Sequence, residues 1–444
     1  MAGCAEPRPW RRGLLWLLLL GPFFLISYSF ATWVTTQRSD VGVVVFAWEY
    51  DIPFWPWTIV PYWLIDLLYA LSLLLCATRF LLDNHAKRLL TAQIIAVSSF
   101  LLFPLHFSFN RGPVEGPFGW MFDALAAFDK PFNQAPSLHI ALLVLLWVVY
   151  LRALPHAWRW PVHGVFTLIG VSVLTTWQHH FFDVPTGLWL GWFCLWLIPD
   201  TVGAPLACAA LTRDPARRRL AMHYGLAALL FAAGALVGGG AALWLLWVGA
   251  ALALVSVAYL VLGTAAFQKR ANGSMSVAAR WLLWPYLLGA WLNARIWTRG
   301  LNLADTVVPG ILLGRLPRRS EFEQLDVAAV VDVCAELPCA PGNRAYANIP
   351  MLDLVPPSVQ QIERAVQAIE IARQSGTVLV CCALGFSRSA LAIAAWLLAT
   401  QGASAPEEAL AQVRRARPAI VVNPVLGAAL NAWWKQHQCG TIAT

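Results

Sequence analysis

The sequence predicts a multi-domain chain, with a polytopic all-α transmembrane bundle of about eight spans followed by a soluble α/β domain. Of its 444 residues, 59% are hydrophobic and only 12% are charged, whereas an ordinary soluble domain carries roughly 25% charged residues. The apolar residues are concentrated in long runs before residue 270. From about residue 306, short Val-rich runs alternate with amphipathic segments, which is typical of strands alternating with helices.

Eight apolar segments are each long enough to cross a bilayer of about 30 Å as a helix that rises 1.5 Å per residue. They cover residues 13–33, 58–79, 89–108, 137–155, 160–178, 184–203, 222–240 and 241–266. Arginine and lysine cluster in alternate connections, such as 79–88 and 213–219, so one face is consistently basic. Because basic loops stay inside, the N-terminus and everything after residue 270 are predicted to be cytoplasmic, in a cell (inner) membrane.

The domain boundaries are predicted from changes in composition along the chain. The predicted segments are a membrane domain at 1–270, with its core at about 60–203 and extra spans within 222–266, a linker helix at 271–305, a soluble domain at 306–438 and a tail at 439–444. The linker is Trp-rich and interrupted, which favours an interfacial helix over a span. Within the soluble domain, Ser358 and Gln361 have the spacing of a helix-capping box.

Ionisable residues stand at both ends of a predicted helical hairpin. Ser137 and His139 begin the fourth span, and His179 and Asp183 follow the fifth. Consecutive spans run in opposite directions, so all four lie at the same, outer face. His179 and Asp183 are four residues apart, the spacing at which a carboxylate can orient an imidazole. One histidine at a helix end is more often a polar cap, but this combination indicates phosphoryl transfer through a covalent histidine intermediate.

These residues resemble the motifs of the type 2 phosphatidic acid phosphatase superfamily, over roughly residues 60–200. The run from Pro136 to His139 is similar to its second motif, and His179 followed by Asp183 is similar to its third. The nearest branch contains the inositol phosphorylceramide and sphingomyelin synthases. The resemblance implies a six-helix core in which His179 takes the phosphoryl group, Asp183 orients it, His139 protonates the leaving oxygen and Ser137 contacts the phosphate.

Two departures from the superfamily pattern bear on the substrate. Its first motif is a Lys with a later Arg-Pro pair, and the nearest match here is Arg111, with His106 or Lys130 as possible partners. Arg111 is therefore a second phosphate-binding candidate beside Ser137. The Ser-Arg pair of the third motif falls at Ser172 and Val173, so its arginine is missing. A phosphate monoester carries nearly two charges and needs more cations than a diester does. We therefore expect a phospholipid diester, used in headgroup phosphotransfer or hydrolysis.

Two alternatives remain open for the membrane part. His180 competes with His179, but it is three residues from Asp183 and fits a packed or interfacial position better. A proton-coupled transporter would also use a His–Asp pair. It would need polar residues within the spans, of which Asp66 is the clearest.

A second chemical centre lies in the soluble domain, where Cys382 and Arg388 bracket five residues between a predicted strand and a predicted helix. Such a loop directs successive backbone N–H groups inward, and the helix N-terminus adds positive potential, so together they hold a phosphate dianion and make the cysteine a thiolate nucleophile. Arg388 can grip the phosphate bidentately, and Ser389 can donate to the sulfur. The plainer interpretation is a buried cysteine before a capped helix. The loop residues that would bind the phosphate are Ala383, Leu384, Gly385, Phe386 and Ser387.

This segment resembles the dual-specificity branch of the protein tyrosine phosphatases, over about residues 306–438. Its Cys-x-x-Gly-x-Ser-Arg-Ser pattern is met residue for residue from Cys382. The resemblance implies a cysteine-dependent phosphatase that uses no metal or cofactor, with Asp353 as the general acid 29 residues earlier. The family usually has His before the nucleophile, and here it is Cys381. A Cys381–Cys382 disulfide could act as a redox brake, although adjacent cysteine bridges are strained.

The sequence thus predicts a bifunctional membrane enzyme, an outer lipid phosphatase or phosphotransferase joined to a cytosolic cysteine phosphatase. The expected partners are a phospholipid in the membrane and a phospholipid or phosphoprotein in the cytosol. Nucleic acid is not expected, because basic cytoplasmic loops account for the formal charge of +8. The alternative for the soluble domain is a phosphate-binding regulator without catalysis. The oligomeric state is not indicated.

Overall fold

The computed structural model describes residues 7–201 and 204–442. The chain divides into two compact units. The first takes the chain through Leu206 together with Gly238–Leu243, and the second takes Ala207–Val237 and Trp244–Thr444. Two apolar helices before residue 270 therefore group with the α/β domain, whereas the predicted boundary at residue 270 separates them from it.

The first unit is helical. Over its described residues the helices are α1 (Trp10–Thr36), α2 (Ile59–Leu75), α3 (Arg79–Leu102), α4 (Gly116–Phe128), α5 (Leu138–Ala153), α6 (Arg159–Thr175) and α7 (Asp183–Leu197). The helix α4 falls between the third and fourth predicted spans. Helices α5 and α7 approach closely because α7 has glycines where a side chain would collide. A Cβ at Gly187 would lie 2.5 Å from the Ser137 carbonyl oxygen, and one at Gly191 would lie 2.6 Å from Val144.

Four helical segments in the described ranges are long and apolar enough to cross a membrane, judged by length and composition. They are Trp10–Thr36, Pro56–Leu75, Pro215–Gly238 and Gly240–Phe267. The prediction of about eight spans is therefore not confirmed. Helices α5, α6 and α7 have 16, 17 and 15 residues, fewer than the roughly 20 that a perpendicular span needs. The first half of α3 carries Asp83, His85, Lys87 and Arg88.

An ion-pair cluster with a buried Arg88 and a more exposed Arg152 joins parts of the first unit just after α7. The Arg88 guanidinium lies 2.7 Å from one oxygen of Asp200, and Arg152 lies 2.6 Å from the other. Arg88 also donates to the carbonyl of Ile198 at 2.8 Å. Since α3 carries Arg88 and α5 carries Arg152, this carboxylate fixes both helices to the segment that follows α7.

The second unit begins with α8 (Pro215–Gly238, of which the last residue groups with the first unit), α9 (Leu245–Val257), α10 (Val277–Leu282) and α11 (Trp284–Trp297). The predicted linker helix is thus two helices with a break beside Pro285, whose ring suits a helix start. The α/β part follows, with β1 (Ala304–Val308), β2 (Ile311–Arg315), α12 (Arg319–Phe322), β3 (Ala329–Cys334), β4 (Ala345–Met351), α13 (Val359–Arg373), β5 (Val378–Cys382), α14 (Arg388–Ala399), α15 (Pro406–Ala416) and α16 (Pro424–Ile442).

A five-stranded sheet in the order β1-β2-β5-β3-β4 organises the α/β part. Strand β1 is antiparallel to β2, and the other pairs are parallel. Strands β3 and β5 are buried along their whole length, as the apolar run from Val378 to Cys381 predicts for β5. The capping box also forms: the Ser358 hydroxyl accepts from the Gln361 amide at 3.2 Å, and the Gln361 side chain accepts from the Ser358 amide at 3.0 Å. The predicted α/β domain is therefore confirmed.

A buried lysine fastens the segment after α9 to the sheet. The Lys269 ammonium lies 2.6 Å from the Asp332 carboxylate and donates to the Cys334 carbonyl at 2.7 Å. The Tyr346 hydroxyl donates to the same carboxylate at 2.9 Å. The lysine and aspartate side chains are 1% and 0% exposed. Burial disfavours the ammonium, but the charge and hydrogen bond of Asp332, together with the nearby Cys334 and Cys339, raise the pKa of Lys269.

Replacing Lys269 with methionine is expected to lower the unfolding free energy of the second unit by about 3–5 kcal/mol, because Asp332 then stays buried without its charge partner. Hydrogen exchange of the β3 amides measures the loss in the full chain. The neighbouring Arg270 is exposed, so Arg270→Met is the matched control and should change the free energy by less than about 0.5 kcal/mol. A loss below about 1 kcal/mol for Lys269→Met would contradict the assignment.

Candidate active sites

The loop after β5 is closed by a glycine. Gly385 has φ +75°, which favours glycine, and a Cβ there would lie 2.5 Å from the Gly314 carbonyl carbon on the neighbouring strand. The far side of the loop is held by two bonds, from the Ser387 hydroxyl to the Val421 carbonyl at 2.7 Å and from the Val421 amide to the Phe386 carbonyl at 3.0 Å. The loop conformation is therefore fixed on both sides.

The Cys382 sulfur lies at the base of this loop, where the central strand ends. It accepts hydrogen bonds from the Gly385 amide at 3.3 Å and from the Ser389 hydroxyl at 3.2 Å. The cysteine is 2% exposed. Both donors favour an anionic sulfur, since each would place positive charge density against it. The structure therefore brings together Cys382, Gly385 and Ser389 as the sequence predicts.

Arg388 begins α14 and carries a buried guanidinium with one donor left over. Its two terminal nitrogens bind the Glu336 carboxylate at 2.8 and 2.6 Å, and one of them also donates to the Met351 carbonyl at 3.0 Å. The Nε atom is buried and has no hydrogen-bond partner among the described residues. Burial opposes its charge, but the Asp353 and Glu336 carboxylates raise the pKa of Arg388. A buried, charged, unpaired donor beside the loop is suited to an oxyanion.

Asp353 lies on the more open side of Arg388. Its Oδ1 atom is 3.1 Å from the guanidinium, and its side chain is 31% exposed. Desolvation and, secondarily, the Glu336 carboxylate raise the pKa of Asp353, although Arg388 opposes them. A carboxyl with a raised pKa keeps its proton to higher pH, which suits a general acid.

Cys381 points away from this chemistry into an apolar cluster. It is fully buried with Val330, Leu337 and Leu379 among others. Burial raises the pKa of the Cys381 thiol well above its ordinary value. Cys381 and Cys382 are both free cysteines in the structure.

In the first unit, the ends of the α5–α6–α7 hairpins meet around His179. Its Nδ1 atom lies 3.2 Å from an Asp183 oxygen, and its Nε2 atom lies 3.2 Å from the Ser137 hydroxyl. The Ser137 amide also donates to the Asp183 carbonyl at 3.1 Å. The carboxylate can thus orient the imidazole while the opposite nitrogen faces the serine. Ser137, His179 and Asp183 are brought together as predicted.

His139 lies next to this group. Its ring stacks on Tyr62 with the centroids 4.2 Å apart, and it comes two residues after Ser137, which contacts His179. Its Nε2 atom is buried and has no hydrogen-bond partner in the described part of the chain. A buried imidazole nitrogen without a partner next to His179 is available to a bound group.

His180 has a different role from His179. Its Nδ1 atom lies 3.1 Å from the Glu49 carboxylate, and its Nε2 atom lies 3.0 Å from the Ser108 hydroxyl and 3.1 Å from the Ser108 amide. The ring also stacks on Phe107 at 4.4 Å. Its partners Glu49 and Ser108 lie outside the predicted motifs, whereas the partners of His179, Asp183 and Ser137, lie within them.

Arg111 is found over the ring of Phe122, with the guanidinium carbon 4.2 Å from the ring centroid. In the described ranges, Arg111 makes no direct hydrogen bond or ion pair with His139, His179 or Asp183, and its role in phosphate binding stays a prediction.

Two residues in these sites were not predicted from the sequence. Glu336 directly follows β3, which is parallel and adjacent to β5, so both strands end at the same edge of the sheet. A carboxylate immediately after a buried parallel strand is a signal that could have identified it. Glu49 lies in a loop more than a hundred residues from His180, and nothing local in the sequence indicates that pairing.

The strand, the Cys-to-Arg loop, the helix that follows and the nearby Asp353 define a cysteine-dependent phosphatase domain. Residues 313–436 match the family of the dual specificity phosphatase catalytic domain. The match does not extend to the N-terminal helices.

Similar solved structures include PTPMT1 in complex with PI(5)P, with 20% identity, a TM-score of 0.29, and coverage of 32% of this chain and 99% of that one. Tk-PTP in its active form has 27% identity, a TM-score of 0.29, and coverage of 31% and 99%. Human DUSP28 has 25% identity, a TM-score of 0.28, and the same coverage of 31% and 99%.

Proposed function

We propose that this chain is a membrane-bound phosphatase with two phosphate-handling sites. In the second unit, the dual-specificity-type domain hydrolyses phosphate monoesters through a cysteinyl-phosphate on Cys382. The observation that carries this proposal concerns Arg388, which ends the loop that begins after the nucleophile Cys382. Its buried Nε has no hydrogen-bond partner among the described residues.

Each step of the hydrolysis has a residue in place. The loop amides and Arg388 bind the phosphate, and the Cys382 thiolate attacks phosphorus as the ester oxygen leaves. Asp353 protonates that oxygen. Water then attacks the cysteinyl-phosphate with Asp353 as the base, and Ser389 donates to the sulfur as the thiolate departs.

The membrane helices favour a phospholipid monoester as the substrate of this site. Helices α8 and α9 lie in the same compact unit as the sheet, and both belong to segments apolar enough to span a membrane. Tethering at a bilayer raises the effective concentration of a lipid phosphate. A phosphotyrosine protein is the alternative, and a vesicle containing phosphorylated lipid, compared with a soluble phosphopeptide, distinguishes the two. Faster turnover of the phosphopeptide would contradict the lipid assignment.

Asp353→Asn is expected to lower kcat for an alkyl phosphate by roughly 10²–10⁴-fold, because the leaving oxygen loses its proton donor. In the unchanged protein the rate falls as pH rises through the raised pKa of Asp353. The variant should lose that basic limb, which a pH–rate profile measures. Glu323→Gln, the same kind of change at an exposed carboxylate just after α12, is the control. A basic limb retained in Asp353→Asn would exclude Asp353 as the acid.

We also propose a histidine-based lipid site in the first unit. The observation that favours it is His179, buried between the Asp183 carboxylate and the Ser137 hydroxyl, with the unpaired Nε2 of His139 nearby. Val173, which stands where the third motif has arginine, supports a phosphodiester headgroup, which carries one charge rather than two. The basic loops support an orientation with this site outside and the cysteine site in the cytoplasm.

A substrate panel tests the lipid site. The purified full chain is given phospholipid diesters, with and without a lipid alcohol acceptor, and separately phosphatidate or a pyrophosphate lipid. Release or transfer of a headgroup from a diester is the expected result. Preference for phosphatidate or the pyrophosphate would refute the diester assignment, and proton uptake without ester cleavage would support a transporter instead.

A further inference from the structure

We infer that Tyr259, which lies outside the matched phosphatase domain, is a positioning residue for the general acid of the cysteine site. The inference rests on the proposed role of Asp353. The Tyr259 hydroxyl donates a hydrogen bond to the main-chain carbonyl of Asp353 at 3.0 Å, and the tyrosine is 1% exposed. It belongs to Gly240–Phe267, a segment apolar enough to span a membrane. That segment therefore contacts the loop that carries the acid.

Tyr259 is held in place independently of Asp353. It lies in the π-helical turn Ala258–Leu262 that follows α9, and such turns occur frequently at functional sites. A π turn leaves carbonyls that need other donors, and the Arg217 Nε of α8 donates to the Tyr259 carbonyl at 3.0 Å. The ring stacks on Tyr224, also of α8, with the centroids 5.5 Å apart. Backbone and ring are thus both fixed, so the hydroxyl is presented at a defined point.

The loop that carries Asp353 is one that needs such an anchor. Leu354, the next residue, has φ +60°, a left-handed conformation that is strained in a residue with a branched side chain. The Asp353 side chain is partly exposed, and its contact with Arg388 is a single 3.1 Å approach. A hydrogen bond to the Asp353 carbonyl offsets the strain and limits the directions in which the carboxyl can point.

The consequence is specific to proton donation. Tyr259 contacts the main chain of Asp353 and takes no part in bond making, so its loss leaves the thiolate, the loop and Arg388 in place. Only the delivery of the proton to the leaving oxygen is impaired. An aryl phosphate with an acidic phenol leaving group needs little protonation, whereas an alkyl phosphate needs it fully.

Tyr259→Phe in the full chain tests this, with p-nitrophenyl phosphate and an alkyl phosphate monoester as substrates. We expect kcat for the alkyl phosphate to fall about threefold to tenfold, the loss that accompanies one neutral hydrogen bond, with KM unchanged. The rate with p-nitrophenyl phosphate should change less than about twofold. In an Asp353→Asn background the same substitution should have no further effect, because the acid is already gone.

Tyr150→Phe is the matched control, since it removes a hydroxyl-to-carbonyl bond of the same 3.0 Å length in the first unit and should leave both rates unchanged. Equal losses with both substrates, no loss with either, or a further loss in the Asp353→Asn background would each overturn the inference. Cys382→Ser separates this from the parent proposal: if that variant is inactive while Tyr259→Phe is normal, only the inference about Tyr259 fails.

Discussion

Cys382→Ser is expected to lower turnover of phosphate monoesters by roughly 10⁴-fold to 10⁶-fold, the range found when an enzyme loses its nucleophile. The structure gives the reason. The sulfur is the acceptor for both the Gly385 amide and the Ser389 hydroxyl, and an alcohol in its place stays protonated at neutral pH and attacks poorly. The measurement is release of inorganic phosphate from an alkyl and an aryl monoester by the full chain.

The adjacent thiol supplies the control. Cys381 is equally buried but lies in the apolar cluster away from the loop, so Cys381→Ala should keep activity within about tenfold. Binding of inorganic phosphate should survive in Cys382→Ser, because the loop amides and Arg388 remain. A non-catalytic phosphate reader predicts the contrary result, in which unchanged protein and Cys382→Ser both bind a phosphate ester and neither releases phosphate.

The phosphate loop was predictable because its parts are contiguous. Cys382, Gly385 and Arg388 lie within one strand–loop–helix unit, and their spacing alone fixes which groups face the phosphate. Asp353 is not part of this unit, because it follows a different strand. It was predicted from the family resemblance and from its position in a loop before Pro356. Because local geometry determines where the loop residues lie, their arrangement could be predicted from the sequence alone.

The supporting residues were not predictable in the same way. Glu336 is 52 residues from Arg388, and Tyr259 is 94 residues from Asp353. Both contacts depend on how separate elements pack, which no periodicity in the sequence encodes. Glu49 and His180 are 131 residues apart and show the same limitation in the first unit.

The prediction of about eight spans is not confirmed because it took the length of an apolar run as the length of a helix. The apolar run at 160–178 continues past the end of α6 at Thr175, and its last residues form the turn before His179. That turn belongs to the proposed histidine site, so the helix is shorter than the apolar run that predicted it.

His179→Ala is expected to lower turnover of the phospholipid diester by roughly 10⁴-fold to 10⁶-fold, with no change in the cysteine-dependent rate. Attack by Nε2, the nitrogen that faces the Ser137 hydroxyl, breaks one ester bond of the diester, so the proposed intermediate is a phosphohistidine that keeps the other ester group while the first leaves as an alcohol protonated by His139. The other nitrogen of His179 is held by Asp183 at 3.2 Å, which fixes the orientation needed for attack. Rapid quenching with a labelled diester should trap an acid-labile phosphohistidine in the unchanged chain and none in the variant.

His180→Phe is the comparison that makes the assignment sharp. His180 is buried like His179, but its nitrogens contact Glu49 and Ser108 rather than the motif residues Asp183 and Ser137. Its replacement should lower stability, because Glu49 loses its imidazole partner, while trapped phosphohistidine remains detectable. Label that persists in His179→Ala and disappears in His180→Phe would reverse the assignment. If the unchanged chain itself gives no trapped label, the covalent histidine mechanism in the first unit is excluded.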